Sequence, residues 1–115
     1  MADCLFCRIV AGEIPATIVK RSDEALAFRD IDARAPVHVL VIPTKHVAAV
    51  RDAKGANGER LLGRLLAFAA EIAAEQGLDG DGYRIVTNTG KNAGQSVDHL
   101  HLHVLGGRKL SWPPG

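Results

Sequence analysis

The chain has 115 residues, of which 47% are hydrophobic and 23% are charged. This length and balance predict one globular domain over residues 1–115 and exclude a disordered tail. The 14 basic and 13 acidic residues leave a formal charge of +1, so there is no electrostatic reason to expect nucleic-acid or membrane-surface binding.

The first residues and the cysteines indicate a compartment. No apolar run approaches the ~18 residues that span a bilayer, and the first residues lack the pattern of a secretory signal. We therefore expect a cytoplasmic protein, in which Cys4 and Cys7 do not form a structural disulfide. Their C-x-x-C spacing leaves three interpretations open: metal ligands, a redox pair, or two small core residues.

The first half of the chain predicts a short helix followed by strands. Apolar residues recur at helical spacing over residues 4–11. Short apolar runs at 18–20 and 26–29 predict two strands that are separated by a polar turn. Residues 37–42 are apolar and largely β-branched, which is typical of a buried strand, and this strand carries His38.

The second half contains one long helix and two further strands. Apolar residues recur with helical period over 59–76, with Asn57 as the predicted N-cap. Strands are predicted at 83–87 and 99–105, joined by the polar, glycine-rich segment 88–96. This order of elements favours an α+β fold with an antiparallel sheet.

The histidines of the last strand are the most informative feature of the sequence. His99, His101 and His103 alternate with leucine residues, so the three imidazoles are expected on one face and the leucines in the core. Neighbours on one face lie ~6.5–7 Å apart, which favours three contacts along one substrate over three ligands of one metal. Two of the three can still share a metal with other residues. A single strand histidine is usually structural, but three alternating ones after a polar loop indicate function.

Residues 99–105 fit the H-φ-H-φ-H-φ-φ signature, where φ is apolar, and resemble the histidine triad (HIT) superfamily. Further segments resemble its Hint branch: Phe6 with Ile9, 27–31, 35–38, 41–46, 88–90, 94–97, and the tail 105–115. The resemblance implies a HIT-like α+β fold with one long and one short helix, assembled as a homodimer. In Hint relatives the C-terminal tail reaches the partner's active site.

The resemblance implies hydrolysis of purine nucleoside phosphoramidates, with acyl-AMP as a further substrate class. His101 would attack the α-phosphorus and form a covalent nucleotidyl-histidine, which divides one displacement into two easier ones. His103 would donate a hydrogen bond to the phosphate or the leaving group, and His38 would support the nucleophile. An imidazole suits this role because much of it is neutral near pH 7.

The nucleotide contacts follow from the same resemblance. Asp30 and Ile31 match the ribose and base positions, and a carboxylate can accept hydrogen bonds from both ribose hydroxyls. The phosphate would be held without a metal by side-chain and backbone donors of Asn88, Gly94, Gln95 and Ser96. The base pocket would be formed by Leu5, Phe6, Ile9 and Phe28, although core packing alone also explains these four apolar residues. Such a pocket predicts weak discrimination between AMP and GMP.

A zinc site is also implied. In many bacterial HIT proteins the two cysteines join histidines at the positions of His46 and His99. Cys₂His₂ is a good tetrahedral zinc set, and four protein ligands would make the metal structural. Catalysis would then need no cofactor. The other interpretation is two small helix residues in a metal-free protein.

Two other functions remain open at this point. One is dinucleoside polyphosphate hydrolysis of the fragile-histidine-triad type, which uses the same nucleophile. The other is a non-catalytic nucleotide-binding interaction module. The sequence also departs from its relatives at Asp98, where an aromatic or aliphatic residue is common. By alternation this carboxylate is expected to point away from the histidines.

Overall fold

A five-stranded antiparallel sheet organises the computed structural model, which describes residues 4–115. Among these residues the α-helices are α1 (Leu5–Val10) and α2 (Gly55–Glu75). The strands are β1 (Ile18–Arg21), β2 (Ala25–Arg29), β3 (Val37–Pro43), β4 (Tyr83–Val86) and β5 (Leu102–Gly106). Their order across the sheet is β1-β2-β3-β5-β4, with every neighbouring pair antiparallel. The predicted α+β class and the short and long helix are confirmed.

Both faces of the central strand are covered, which explains why its sequence is an almost unbroken apolar run. Val39 and Val41 belong to the core that packs against α2, whereas Leu40 and Ile42 belong to a second core on the α1 side. Because strand side chains alternate, His38 shares a face with Leu40. The sheet therefore separates a larger apolar core from the face that carries the histidines.

The long helix begins earlier than predicted. It starts at Gly55 with Lys54 at the N-cap, so the prediction of Asn57 as N-cap is wrong. The Gly58 amide donates to the Lys54 carbonyl at 3.1 Å, which sets the first turn through the backbone. The other end agrees with the sequence, because Gly77 follows the helix with a positive φ of 76°. Within residues 4–115, no helix combines the length and apolarity needed to cross a bilayer.

Two glycines of α2 are expected to respond oppositely to alanine. A Cβ on buried Gly58 would lie 2.3 Å from the Ala53 carbonyl carbon, whereas a Cβ on exposed Gly63 meets nothing within 4 Å. Gly58→Ala should therefore cost about 2 kcal/mol or more of unfolding free energy. Gly63→Ala should stabilise by about 0.5–1 kcal/mol, because alanine is the better helix former. Denaturant unfolding at matched protein concentration measures both, and equal responses would contradict the predicted backbone overlap.

Candidate functional site

The three histidines of the signature lie on one side of the chain, as alternation predicts. Leu100, Leu102 and Val104 enter the core against α2. The predicted strand over 99–105 is too long, because β5 begins only at Leu102. The preceding segment is held by the Leu100 amide, which donates to the Val47 carbonyl at 2.6 Å. The alternation of side chains thus continues through the residues that lie before the strand.

The ring of His101 is fixed with one nitrogen free. Its Nδ1 lies 2.8 Å from the His99 carbonyl oxygen, which can only accept, so Nδ1 carries the proton. The Nε2 lone pair is then available as a nucleophile. His101 is buried, and its ring packs edge-on against Phe6 at 5.1 Å and against His103 at 5.1 Å. This packing limits the rotation of the imidazole.

A second chain of hydrogen bonds orients His103. The Arg34 amide donates to His38 Nδ1 at 3.0 Å, so the proton of His38 lies on Nε2. That Nε2 is 2.9 Å from His103 Nδ1, which therefore accepts and leaves the His103 proton on Nε2. Asp30 Oδ2 lies 3.3 Å from the same His38 nitrogen. The result is a histidine pair in which His103 presents an N–H group.

The same contacts make this cluster a poor metal site. The ligand atoms of Asp30, His38 and His103 all lie within 4.8 Å of one another. A metal on His38 Nε2 would need that nitrogen unprotonated, and the proton would move to Nδ1. There it would face the amide hydrogen of Arg34. The donor arrangement fits proton and phosphate chemistry better than metal ligation.

Burial keeps the histidine pair neutral. Desolvation, followed by the nearby His101 and His38, lowers the pKa of His103 to about 4. Desolvation also lowers the pKa of His38, although Asp30 opposes this effect. At pH 7 His103 is therefore a neutral hydrogen-bond donor rather than a cation.

These shifts predict a loss of stability in acid. Below pH ~6.5 the unfolded chain binds a proton that folded His103 takes up only near pH 4. The contribution of His103 to the unfolding free energy should thus be constant above pH ~6.5 and fall by up to about 3 kcal/mol as the pH drops to ~4. Urea unfolding of wild type and His103→Gln across this range isolates the contribution, since other groups titrate in both proteins. Equal losses in the two proteins would contradict the prediction.

A cavity of about 770 Å³ opens beside the histidines. Phe6 and Phe28, whose rings meet edge-on at 5.5 Å, form part of its apolar wall. Ile31 lies at its rim and is fully exposed. The structure brings together here most of the predicted nucleotide-site residues: Phe6, Ile9, Phe28, Asp30, Ile31, Ser96, His101 and His103. Phe6, Ile9 and Phe28 are also buried in the α1-side core. These three residues therefore both pack the core and line the cavity.

Gln95 supports the loop rather than the cavity. Its Oε1 accepts from the Gly90 amide at 2.9 Å. Its Nε2 donates to the carbonyl oxygens of Ala48 at 2.7 Å and Val97 at 3.0 Å. The side-chain amide of Gln95 thus ties segment 88–96 to the rest of the chain, and its predicted contact with phosphate stays a prediction.

Two backbone amides of the same loop also donate hydrogen bonds within the loop. The Gly94 amide donates to Lys91 and the Gln95 amide to Gly90, each at 3.1 Å. Gly90 and Gly94 have φ values of 83° and 76°, which favour glycine. Gly94 therefore shapes the turn, and its predicted contact with phosphate stays a prediction. Ser96 is the residue of this turn that lines the cavity.

Asn88 does not line the first cavity, and its predicted contact with phosphate stays a prediction. It lines a second cavity of about 370 Å³ together with His38 and His103. His103 borders both cavities, whereas His101 borders the first. The second cavity also contains three arginines that the sequence analysis missed: Arg34, Arg84 and Arg108. No local sequence pattern predicts that these arginines lie together, because they come from a loop, a strand and the tail.

The C-terminal tail lies against its own chain at this cavity. Arg84 Nη2 donates to the Ser111 carbonyl at 2.9 Å. Ser111, Pro113 and Pro114 line the cavity beside His103, while Trp112 is 80% exposed. Asp98 is exposed.

A separate cluster of four metal-type donors joins α1 to the sheet. Cys4 Sγ lies 3.2 Å and Cys7 Sγ 3.5 Å from His99 Nδ1, and Cys7 Sγ lies 3.3 Å from His46 Nδ1. The four ligand atoms are within 4.8 Å of one another. His99 Nε2 is 2.9 Å from the Pro43 carbonyl oxygen, so Nε2 is protonated and the Nδ1 lone pair faces the thiols.

The chemistry of this cluster fits a metal ion. Burial, and then the adjacent Cys4 thiol, raise the pKa of Cys7. A divalent cation would relieve this effect by stabilising both thiolates. Two thiolates and two imidazole nitrogens that meet around one point are a zinc-type donor set. The predicted grouping of Cys4, Cys7, His46 and His99 is thus confirmed as an arrangement that can bind a metal.

Comparison with known proteins agrees with this geometry. The chain is 52% identical over 113 residues to an uncharacterized HIT-like protein of Synechococcus elongatus, covering 98% of this chain and 97% of the relative. A HIT family hydrolase from Legionella pneumophila superposes with a TM-score of 0.94 at 49% identity, covering 98% and 100% of the two chains. A histidine triad nucleotide-binding protein from Candida albicans superposes with a TM-score of 0.82 at 30% identity, covering 96% and 83%. The HIT domain model matches residues 11–110, and the chain belongs to the HIT domain family.

Proposed function

We propose that this protein hydrolyses purine nucleoside phosphoramidates through a nucleotidyl-histidine on His101. The observation that carries this proposal is the hydrogen bond from His101 Nδ1 to the His99 carbonyl, at 2.8 Å. It leaves the Nε2 lone pair free beside a cavity large enough for a nucleotide. Membership of the HIT family, and the hydrolase and nucleotide-binding relatives, support the same reading.

The first chemical step joins His101 to the substrate. His101 Nε2 attacks the α-phosphorus, the P–N bond breaks, and the departing nitrogen takes a proton from solvent and leaves as the amine. The neutral His103 donates a hydrogen bond from its Nε2–H group to the phosphate or the leaving group and keeps its proton, and His38 holds the ring of His103 through the 2.9 Å bond. Water then attacks the same phosphorus and releases one proton to solvent, the P–N bond to His101 breaks, and AMP or GMP leaves the free histidine.

The nucleoside is proposed to occupy the first cavity. Asp30 would accept hydrogen bonds from the ribose hydroxyls, since Oδ1 and Oδ2 keep lone pairs beyond those used by the Asp32 amide and His38. The base would lie between the apolar wall and Ile31 at the rim. Ser96 would hold the phosphate with its hydroxyl. The apolar wall offers few base-specific donors, so AMP and GMP derivatives should both be substrates.

We also propose that zinc occupies the Cys4, Cys7, His46 and His99 cluster as a structural ion. With four protein ligands it would have no position for a catalytic water, so His101 would act without a cofactor. Cys4 and Cys7 form no disulfide, and cysteines kept reduced to bind zinc are typical of a reducing compartment. We propose a cytoplasmic location on that basis.

A homodimer completes the proposal, with the tail of each protomer near the active site of its partner. Deleting residues 110–115 should then change the relative rates among amine leaving groups more than it changes the unfolding free energy. Relative rates that stay the same over a leaving-group series would count against a role of the tail in specificity. Sedimentation analysis of the intact chain tests the dimer directly.

Substrate comparison tests the proposed reaction. Wild-type protein is incubated with adenosine phosphoramidate and, separately, with a diadenosine polyphosphate, and AMP release is followed by chromatography. We expect faster turnover of the phosphoramidate. Hydrolysis of only the polyphosphate would assign the protein to the fragile-histidine-triad reaction. Tight mononucleotide binding without turnover of either substrate would indicate a non-catalytic binding module.

A further inference from the structure

The second cavity carries a positive charge that the proposed reaction does not yet use. Arg34, Arg84 and Arg108 line it, and among the described residues that form its wall there is no aspartate or glutamate. Arg34 is neutralised by Asp32, whose Oδ2 lies 2.8 Å from its Nη2. The other two arginines have a different environment.

Arg84 and Arg108 bond to neutral partners. Arg84 Nη2 donates to the Ser111 carbonyl at 2.9 Å. Arg108 donates to the Lys109 carbonyl at 3.0 Å and to the Arg34 carbonyl at 2.8 Å. These bonds position the guanidinium groups without cancelling their charge, and each guanidinium has five N–H donors in total. The guanidinium groups of Arg84 and Arg108 therefore border this cavity in fixed positions, and each keeps N–H donors that are available to a ligand.

The position of this cavity relates it to the departing group. His101 lines the first cavity, and His103 lines both. The ring centroids of His101 and His103 are 5.1 Å apart, and those of His103 and His38 are 5.2 Å apart. A leaving group that is bound beside His103 would therefore lie next to the arginine-lined space.

We propose that the leaving group of the natural substrate carries an anionic oxygen group, a carboxylate or a phosphate, which binds Arg84 and Arg108. This inference rests on the proposed function and adds the chemical class of the amine. Planar guanidinium groups match the paired oxygens of carboxylate and phosphate, and such charge-assisted bonds are stronger than neutral ones. Arg84 and Arg108 are then specificity-determining residues.

A matched set of AMP phosphoramidates tests the preference. AMP is linked through nitrogen to β-alanine, to the uncharged β-alanine amide, and to 2-aminoethyl phosphate. We expect kcat/KM for the two anionic compounds to exceed that for the amide by about tenfold or more. The anionic advantage should shrink as salt is added, because these arginines are partly solvated. Preference for only one anion identifies that anion as the ligand.

Arginine variants show whether this preference comes from the cavity. In Arg84→Gln and Arg108→Gln the ratio of anionic to amide kcat/KM should fall toward one, and Arg84→Lys should retain part of it. Arg64→Gln on α2, whose arginine pairs with Glu71 at 3.5 Å, is the matched control and should keep the ratio. Thermal melting confirms that each variant folds.

The outcomes separate this inference from the proposed function. If the amide is hydrolysed as fast as the anionic compounds, or if the ratio survives both glutamine variants, the inference is wrong while phosphoramidate hydrolysis stands. If none of the three compounds is hydrolysed, the proposed function itself fails.

Discussion

Replacing His101 with alanine is expected to lower kcat for adenosine phosphoramidate by about 10⁴-fold or more, because the variant lacks the proposed nucleophile and could not form the proposed covalent intermediate. AMP affinity should change little, since the walls of the first cavity and Asp30 remain. Steady-state kinetics and calorimetric AMP binding measure the two effects. Rapid-quench mass spectrometry should find one adenylyl group on the wild-type chain and none on the variant.

His103→Ala is the matched control for this result. His103 is expected to act as a neutral hydrogen-bond donor, so its loss should cost about 10²–10³-fold in kcat. The covalent intermediate should still form on His101 in this variant. Comparable turnover by His101→Ala and wild type would rule out His101 as the nucleophile, and an adenylyl group on His103 would move that role to the neighbouring ring.

Removing the proposed zinc ion is expected to give the largest change in stability. The cluster of Cys4, Cys7, His46 and His99 ties residues at the start of α1 to the sheet. A ligand that binds only the folded state stabilises it by about 4 kcal/mol at 1,000 times its Kd. Chelation, or Cys7→Ser, should therefore lower the melting temperature markedly and abolish stoichiometric zinc in elemental analysis.

The metal site should also affect substrate binding through α1. Phe6 and Ile9 line the first cavity from this helix, and Phe6 packs against both His99 and His101. Zinc loss should therefore raise KM for the nucleotide more than it lowers kcat. Exposed Arg64→Gln, remote from the cluster, is the matched control and should leave zinc content unchanged. Protein purified without chelator that holds no stoichiometric zinc, and whose two thiols titrate freely, would refute the proposed site.

The sequence was a reliable guide wherever the signal is periodic. Alternation placed His101 and His103 opposite Leu100 and Leu102, and this side-chain order is observed although β5 is shorter than predicted. Helical periodicity located α2 but placed its start too late in the chain. The first turn has no apolar period, and it is set by the close approach of Gly58 to the backbone of Ala53. Periodicity reports which face a side chain occupies, whereas the ends of an element depend on close packing with residues outside the periodic pattern, such as Ala53.

The chemistry of each site residue depended on contacts far apart in the chain. His99 exposes Nδ1 to the cysteines because Pro43, 56 residues away, binds its other nitrogen. The side-chain amide of Gln95 donates a hydrogen bond to the carbonyl of Ala48. Asn88 lines the second cavity rather than the first. The sequence by itself determined the face of the sheet that carries the histidines and the identity of the metal-type donors. Only the tertiary structure decided which imidazole nitrogens are free and which arginines meet beside His103, because hydrogen-bond partners and cavity walls are set by folding and not by local residue order.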